Sequence, residues 1–313
     1  MTLGHAFFIA SGPGMCDCHW LGHRFVAELG FRPEQGESWV GQGRADGHYS
    51  LLSQQGWMTG LWRTESKVWV AEVSGRVYMN PSLELRKEPW QTFRLDASLS
   101  GIWGLRDNLV FAWGLRRSDP VAFLYEGTAW REIASPGHIG CIRGVRDDLI
   151  YAVGLRGLIA RWDGTSFRTV HGPTDANLCD VFVASDDEMY ACGQGGHLLQ
   201  GTVHCWEVLL QHNGPLHCVA RWGDAVWVGT GPGGLFKLVN ERLELFKPKV
   251  LAERFDTRGY LIGAAPNAIF ETRDGSDFQG ILLKTFMDLS AHQPPSWRED
   301  DDLEDELDED EEE

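Results

Sequence analysis

Residues 141–170 read CIRGVRDDLIYAVGLRGLIARWDGTSFRTV. Four short apolar runs, Cys141–Val145, Leu149–Val153, Leu158–Trp162 and Phe167–Val170, are separated by Arg146-Asp147-Asp148, Gly154-Leu155-Arg156-Gly157 and Asp163-Gly164-Thr165-Ser166. Runs of this length between turn-forming clusters predict β-strands, and such tight connections make consecutive strands antiparallel neighbours. The unit recurs. Its second strand ends in glycine at Phe111-Ala112-Trp113-Gly114, Tyr151-Ala152-Val153-Gly154, Tyr190-Ala191-Cys192-Gly193, Val226-Trp227-Val228-Gly229 and Tyr260-Leu261-Ile262-Gly263, with the glycines 40, 39, 36 and 34 residues apart. A divergent copy, Val68-Trp69-Val70-Ala71-Glu72, ends 42 residues before Gly114.

Four-stranded units of about 40 residues predict the blades of a β-propeller. Six units start near Trp57, Leu99, Ile139, Leu178, Leu216 and Val250. Residues 1–56 hold further strand-like pieces, Ala6–Ala10, Cys16–Trp20, Arg24–Leu29 and Tyr49–Ser53, and are expected to form a seventh, ring-closing blade. The expected fold is therefore all-β: a single propeller over 1–293 with seven four-stranded blades, a six-bladed ring with an N-terminal extension being the alternative. The 37 Gly and 14 Trp agree with many tight turns and aromatic filling between sheets.

The third-to-fourth strand hairpins read Tyr125-Glu126-Gly127-Thr128-Ala129-Trp130, Trp162-Asp163-Gly164-Thr165-Ser166-Phe167 and Arg273-Asp274-Gly275-Ser276-Asp277-Phe278. An acid followed by glycine suits turns with positive φ, and the following aromatic is expected to pack between blades. The pattern resembles the D-G-x-x-W hairpins of bacterial β-propeller repeat proteins and, more distantly, the Asp-box of sialidase-like propellers. It departs from the Asp-box, where one residue separates Asp from Gly, so the resemblance implies a fold and carries no glycosidase activity with it.

The formal net charge is −17, but thirteen of the last fifteen residues are acidic. Setting these aside leaves 32 acidic against 28 basic residues, a nearly neutral body with an acidic tail over 294–313, which begins at Pro294-Pro295. Such a run cannot bury a core and is expected to stay disordered. Free nucleic acid is excluded as an expected ligand for want of a basic surface, and a basic protein is the expected partner. The tail residues Asp300, Asp301, Asp302, Glu304, Asp305 and Glu306 would steer such a partner electrostatically. Seven scattered cysteines suggest reduced thiols, and no run of 18–20 apolar residues is present, so a cytoplasmic monomer without membrane contact is expected.

Cys16-Asp17-Cys18-His19, with His23, carries zinc-ligand types. The spacing fits no common structural pattern, and on a strand the two cysteines would face away from His19, so no metal and no cofactor is expected. Gly101, Cys141, Cys179 and Cys218 align early in the first strands, where crowding at a central channel demands small residues. His138, His171, His212 and His217 fall at blade connections, His197 follows a second-to-third strand turn, and Arg76, Arg116, Arg117 and Arg156 recur in the same turns. Both loop classes emerge on one face, where this set would form a partner-binding ring. No catalytic motif is present, and catalytic residues are assigned to none. The expected function is a non-enzymatic protein-binding propeller that scaffolds or neutralises a partner, for example as a toxin-immunity protein. The alternative is a hydrolase, lyase or lectin using the channel mouth.

Overall fold

The computed structural model describes residues 3–4, 8–26, 37–43, 49–265 and 268–282. Expectations for the tail, and for residues 27–29, lie outside that set.

Six four-stranded antiparallel sheets follow one another along the chain as propeller blades, each with its strands in sequence order. The first consists of Met58–Arg63, Val68–Glu72, Arg76–Asn80 and Gln91–Arg94; the third of Ile139–Arg146, Leu149–Gly154, Ile159–Trp162 and Phe167–Thr169. The others span 98–133, 178–211, 218–247 and 254–282. The second strands are the most buried: all of Val68–Glu72, Leu149–Gly154 and Met189–Gly193 is inaccessible, because each lies mid-sheet with a blade on either side.

The repeating glycine has a steric cause. A Cβ on Gly114, Gly154 or Gly193 would stand 2.0, 1.9 or 2.0 Å from the carbonyl oxygen of Ser98, His138 or Asn177, the backbone that leads into the first strand of the same blade. The Leu155 amide donates to that same His138 carbonyl at 3.0 Å, so the approach is part of the blade's hydrogen bonding.

The hairpin aromatics pack as expected against the second strand of the preceding blade. Trp130 meets Trp69 at 5.9 Å, Phe167 meets Phe111 at 5.5 Å and Phe278 meets Trp227 at 6.0 Å, mostly edge to face. The acids before the glycines close the turns. Asp163 Oδ1 accepts the amides of Thr165 (2.9 Å) and Ser166 (2.8 Å), and Asp274 Oδ1 does the same for Ser276 and Asp277. Those amide hydrogen bonds hold the Asp274 carboxyl down to about 2.

The N-terminal sheet differs in detail from the expected pieces. Its strands are Leu3–Gly4, Phe8–Ser11, His19–Val26, Glu37–Gly43 and Tyr49–Gln55, the first two pairing end to end with His19–Val26. Cys16 lies in a 3-10 turn, Met15–Asp17, not in a strand, because the chain reverses between Ser11 and His19. Glu37–Gly43, which contains Trp39-Val40-Gly41, is a strand the expected pieces do not include. The sheet touches both ends of the ring: the Gly12 amide donates to Asp256 Oδ2 (3.0 Å), the Tyr260 amide to Pro13 O (2.8 Å), and the Arg63 amide to Ser11 Oγ (3.1 Å).

Candidate functional site

Antiparallel blades put the first-to-second and third-to-fourth hairpins on one face, and the second-to-third turns and blade connections on the other. The two are called here the hairpin face and the connection face.

The expected ring residues fall on the connection face, each with its own surroundings. Arg116 is committed, its Nη atoms binding both Glu132 oxygens at 3.1 and 2.7 Å. Arg76 stands 3.9 Å from Glu72. Arg117 and Arg156 adopt left-handed backbone, at φ 61 and 57, and the Arg156 amide is held by Asn177 Oδ1 at 3.0 Å. Arg116 and Arg117 share an open groove with Arg94, Asp96 and Asp119. His138 and His171 are exposed, His197 Nδ1 lies 3.3 Å from Gln194 O, and His212 packs edge-on against Phe236 at 5.2 Å. His217 is half-buried just before the strand Cys218–Trp222.

The Cys16–His19 motif gathers no metal ligands, and among the described residues no group of three His, Cys, Asp or Glu side chains could hold one. Burial, with Glu271 and Asp256 adding to it, pushes the Cys18 thiol up to about 12, and burial drives His19 down to about 4. His19 Nε2 bonds the Leu83 carbonyl at 2.8 Å, which makes this histidine a neutral core residue.

The aligned cysteines need correcting. In the register, Gly101 pairs with Trp113, Cys141 with Val153, Asp180 with Cys192 and Val219 with Val228, each partner directly preceding the repeat glycine. Asp180 and Val219 therefore occupy the column assigned to Cys179 and Cys218, which sit one residue earlier. Asp180 is buried and accepts the Cys141 thiol and the Val219 amide, both at 3.1 Å. Burial pushes the Cys141 thiol up to about 12, so it is unreactive.

The convergent cavity opens on the hairpin face, at the mouth of the channel between the first strands. It encloses about 350 Å³ and is lined by Trp62, Trp103, Arg143, Phe182, Asp256 and Arg258 among others. Trp62 Nε1 donates to Gly104 O at 2.6 Å, fixing the ring. The guanidiniums of Arg143 and Arg258 stack over Trp62 at 4.8 and 4.6 Å. Burial alone would raise Asp256, but Arg258 (2.7 Å) and the Gly12 amide hold it below the ordinary carboxylate range. Sequence reasoning missed this cavity. The signal was present two residues further along the first strands, where Trp62, Trp103, Arg143 and Phe182 face Trp69, Phe111, Tyr151 and Tyr190: one cation stands among these aromatics.

Around the mouth, successive hairpins are tied across blades. Thr64 Oγ1 donates to Asp107 (2.5 Å), Arg106 pairs with Asp147, Arg146 with Asp186 (2.5 Å) and Arg221 with Glu188 (3.2 Å). Each such exposed pair is worth about 0–1 kcal/mol, so their consequence is a defined surface more than added stability.

No protein-family model matches the chain. The immune protein Tsi7 of Pseudomonas aeruginosa is 38% identical over 55 residues, a match spanning 18% of this chain and 18% of that protein. The WD40 β-propeller domain of Doa1 superposes with a TM-score of 0.60 at 10% identity, covering 89% of this chain and 92% of that one. YCF48 bound to D1 peptide gives 0.57 at 13% identity over 86% and 88%, and Sqt1 of Saccharomyces cerevisiae gives 0.56 at 8% over 88% and 82%. At these identities the similarity establishes the propeller fold.

Proposed function

We propose that this propeller binds a basic protein, which it scaffolds or neutralises, through the hairpin face around the channel mouth. The carrying observation is the charge and exposure of that face. The first-to-second hairpins of the first five blades, with the strand ends that lead into them, hold eight carboxylates, Glu65, Asp107, Asp147, Asp148, Asp186, Asp187, Glu188 and Asp224, against five cations, Arg63, Lys67, Arg106, Arg146 and Arg221. Inside that acidic rim, Val145 is 47% exposed beside Trp62 and Trp103. An apolar centre within a charged rim is how protein interfaces combine affinity with steering. Relatives in fold include a protein solved with a peptide bound, and the partial match to an immune protein favours neutralisation over scaffolding.

In this reading the N-terminal sheet serves as a seventh blade, its broken inner strand completing the ring, and the acidic tail adds attraction of the same sign as the rim. The described cysteines are free thiols, in keeping with action in the cytoplasm.

Capture from native cell extract tests the proposal. The full chain and an Arg117→Glu/Arg156→Glu variant are expected to retain the same basic protein. An Asp187→Lys/Asp224→Lys variant should retain it about tenfold less, because like charges now meet across the rim. Equal retention by all three, or loss confined to the arginine variant, would sink the assignment of the face.

A further inference from the structure

At the centre of the docking face the formal charges balance, Arg143 and Arg258 against Asp180 and Asp256, and one group there keeps unused hydrogen-bond donors. Arg258 is spent on Asp256 (Nε 3.0 Å, Nη2 2.7 Å), the Ser11 hydroxyl and the Arg63 carbonyl. Asp180 is spent on Cys141 and Val219. Arg143, by contrast, makes one hydrogen bond among the described residues, from Nη1 to the neighbouring Ile142 carbonyl at 3.0 Å. A guanidinium has five N–H donors, so most of this one's capacity remains available. Stacking on Trp62 holds its plane in place at the cavity wall, where Trp103 and Phe182 supply apolar surface.

We propose that the channel mouth receives the C-terminal carboxylate of the docked partner, borne on an aromatic or bulky apolar last residue, with Arg143 as the receptor for the carboxylate. The planar guanidinium matches a carboxylate through two parallel hydrogen bonds, and partial burial strengthens them. A volume of about 350 Å³ is near the lower limit of small-ligand pockets and suits one aromatic ring with a short acidic arm. The partner thus presents a basic surface around one acid-bearing apolar terminus. This inference rests on the docking reading for its occupant, but its chemistry can be tested apart from it.

The test is titration of the full chain with 3-phenylpropanoate, followed by tryptophan fluorescence and calorimetry, with 3-phenylpropanamide, 2-phenylethylammonium, acetate and phosphate as comparators. The acid is expected to bind with a dissociation constant of about 1 mM, the amide at least about tenfold more weakly, and the cation not at all. Arg143→Met should abolish the preference for acid over amide. Should that variant fail to fold, Val145→Asp keeps Arg143 and places a competing carboxylate at the mouth, and it should weaken the acid alone. Equal binding of acid and amide, acetate or phosphate matching the aromatic acid, or no binding by the acid would each overturn the proposal. If the probe fails while Asp187→Lys/Asp224→Lys still loses the captured protein, the docking face stands without this pocket chemistry. If the probe binds while capture ignores the rim charges, the pocket chemistry stands without the docking face.

Discussion

Replacing Asp256 with alanine is expected to lower the free energy of unfolding by about 3 kcal/mol, as buried charge pairs do when one partner is removed. Asp256 is 6% exposed and ties the last blade to the N-terminal sheet. It accepts the Gly12 amide at 3.0 Å and holds Arg258 at 2.7 Å, and Arg258 in turn reaches Ser11 and the Arg63 carbonyl. Its loss would orphan an amide and a guanidinium where the last blade, the first blade and the N-terminal sheet meet. The sign with pH follows from the direction of its shift. Because the folded carboxyl is held below its ordinary value, its stabilisation is present above the unfolded pKa and is lost as pH falls through the lower, folded one. Urea unfolding should show the gap between wild type and Asp256→Ala at neutral pH and a narrowing gap in acid. Asp256→Asn should recover the Gly12 acceptor but not the ion pair. A neutral-pH difference under about 0.5 kcal/mol, typical of ordinary surface changes, would remove Asp256 from this role.

Gly154→Ala is expected to cost about 2–3 kcal/mol, within the range for overpacking a close-packed site. The neighbour is backbone, 1.9 Å from the added Cβ, and it accepts a hydrogen bond, so it cannot swing aside as a side chain would. Gly280→Ala is the control. Its nearest atom would be 3.4 Å away, an ordinary contact, and thermal unfolding should place it within about 0.5 kcal/mol of wild type. Equal melting of the two variants would mean that the repeat glycine marks the blade without supporting it.

The two glycine positions show why the blades could be read from sequence. Gly114, Gly154 and Gly193 answer the same local clash in three successive blades, and Gly229 and Gly263 answer other close approaches, so their spacing reveals the period. The aromatic after each D-G turn answers a contact with the preceding blade, and it too repeats. The N-terminal sheet was harder to read because its inner strand is broken into Leu3–Gly4 and Phe8–Ser11, and Gly41 in Glu37–Gly43 answers the Trp20 ring at 2.0 Å and not a backbone carbonyl. The channel mouth was harder still. Trp62, Trp103, Arg143, Phe182 and Arg258 come from five blades, and only the strand register, with its bulges, puts them in one ring. The one-residue shift that exchanges Cys179 for Asp180 shows how far a bulge can displace an assignment made by counting. Loop residues such as His138 and Arg156 were easy to notice because they interrupt apolar runs.

The most direct test of the docking face is hydrogen–deuterium exchange on the chain with its captured partner bound, compared with the chain alone. Protection is expected in the hairpin-face segments around 143–148, 182–188 and 221–225. Protection confined to connection-face segments around 94–98, 115–119, 154–157 and 212–217 would contradict it and transfer docking to the arginine and histidine face.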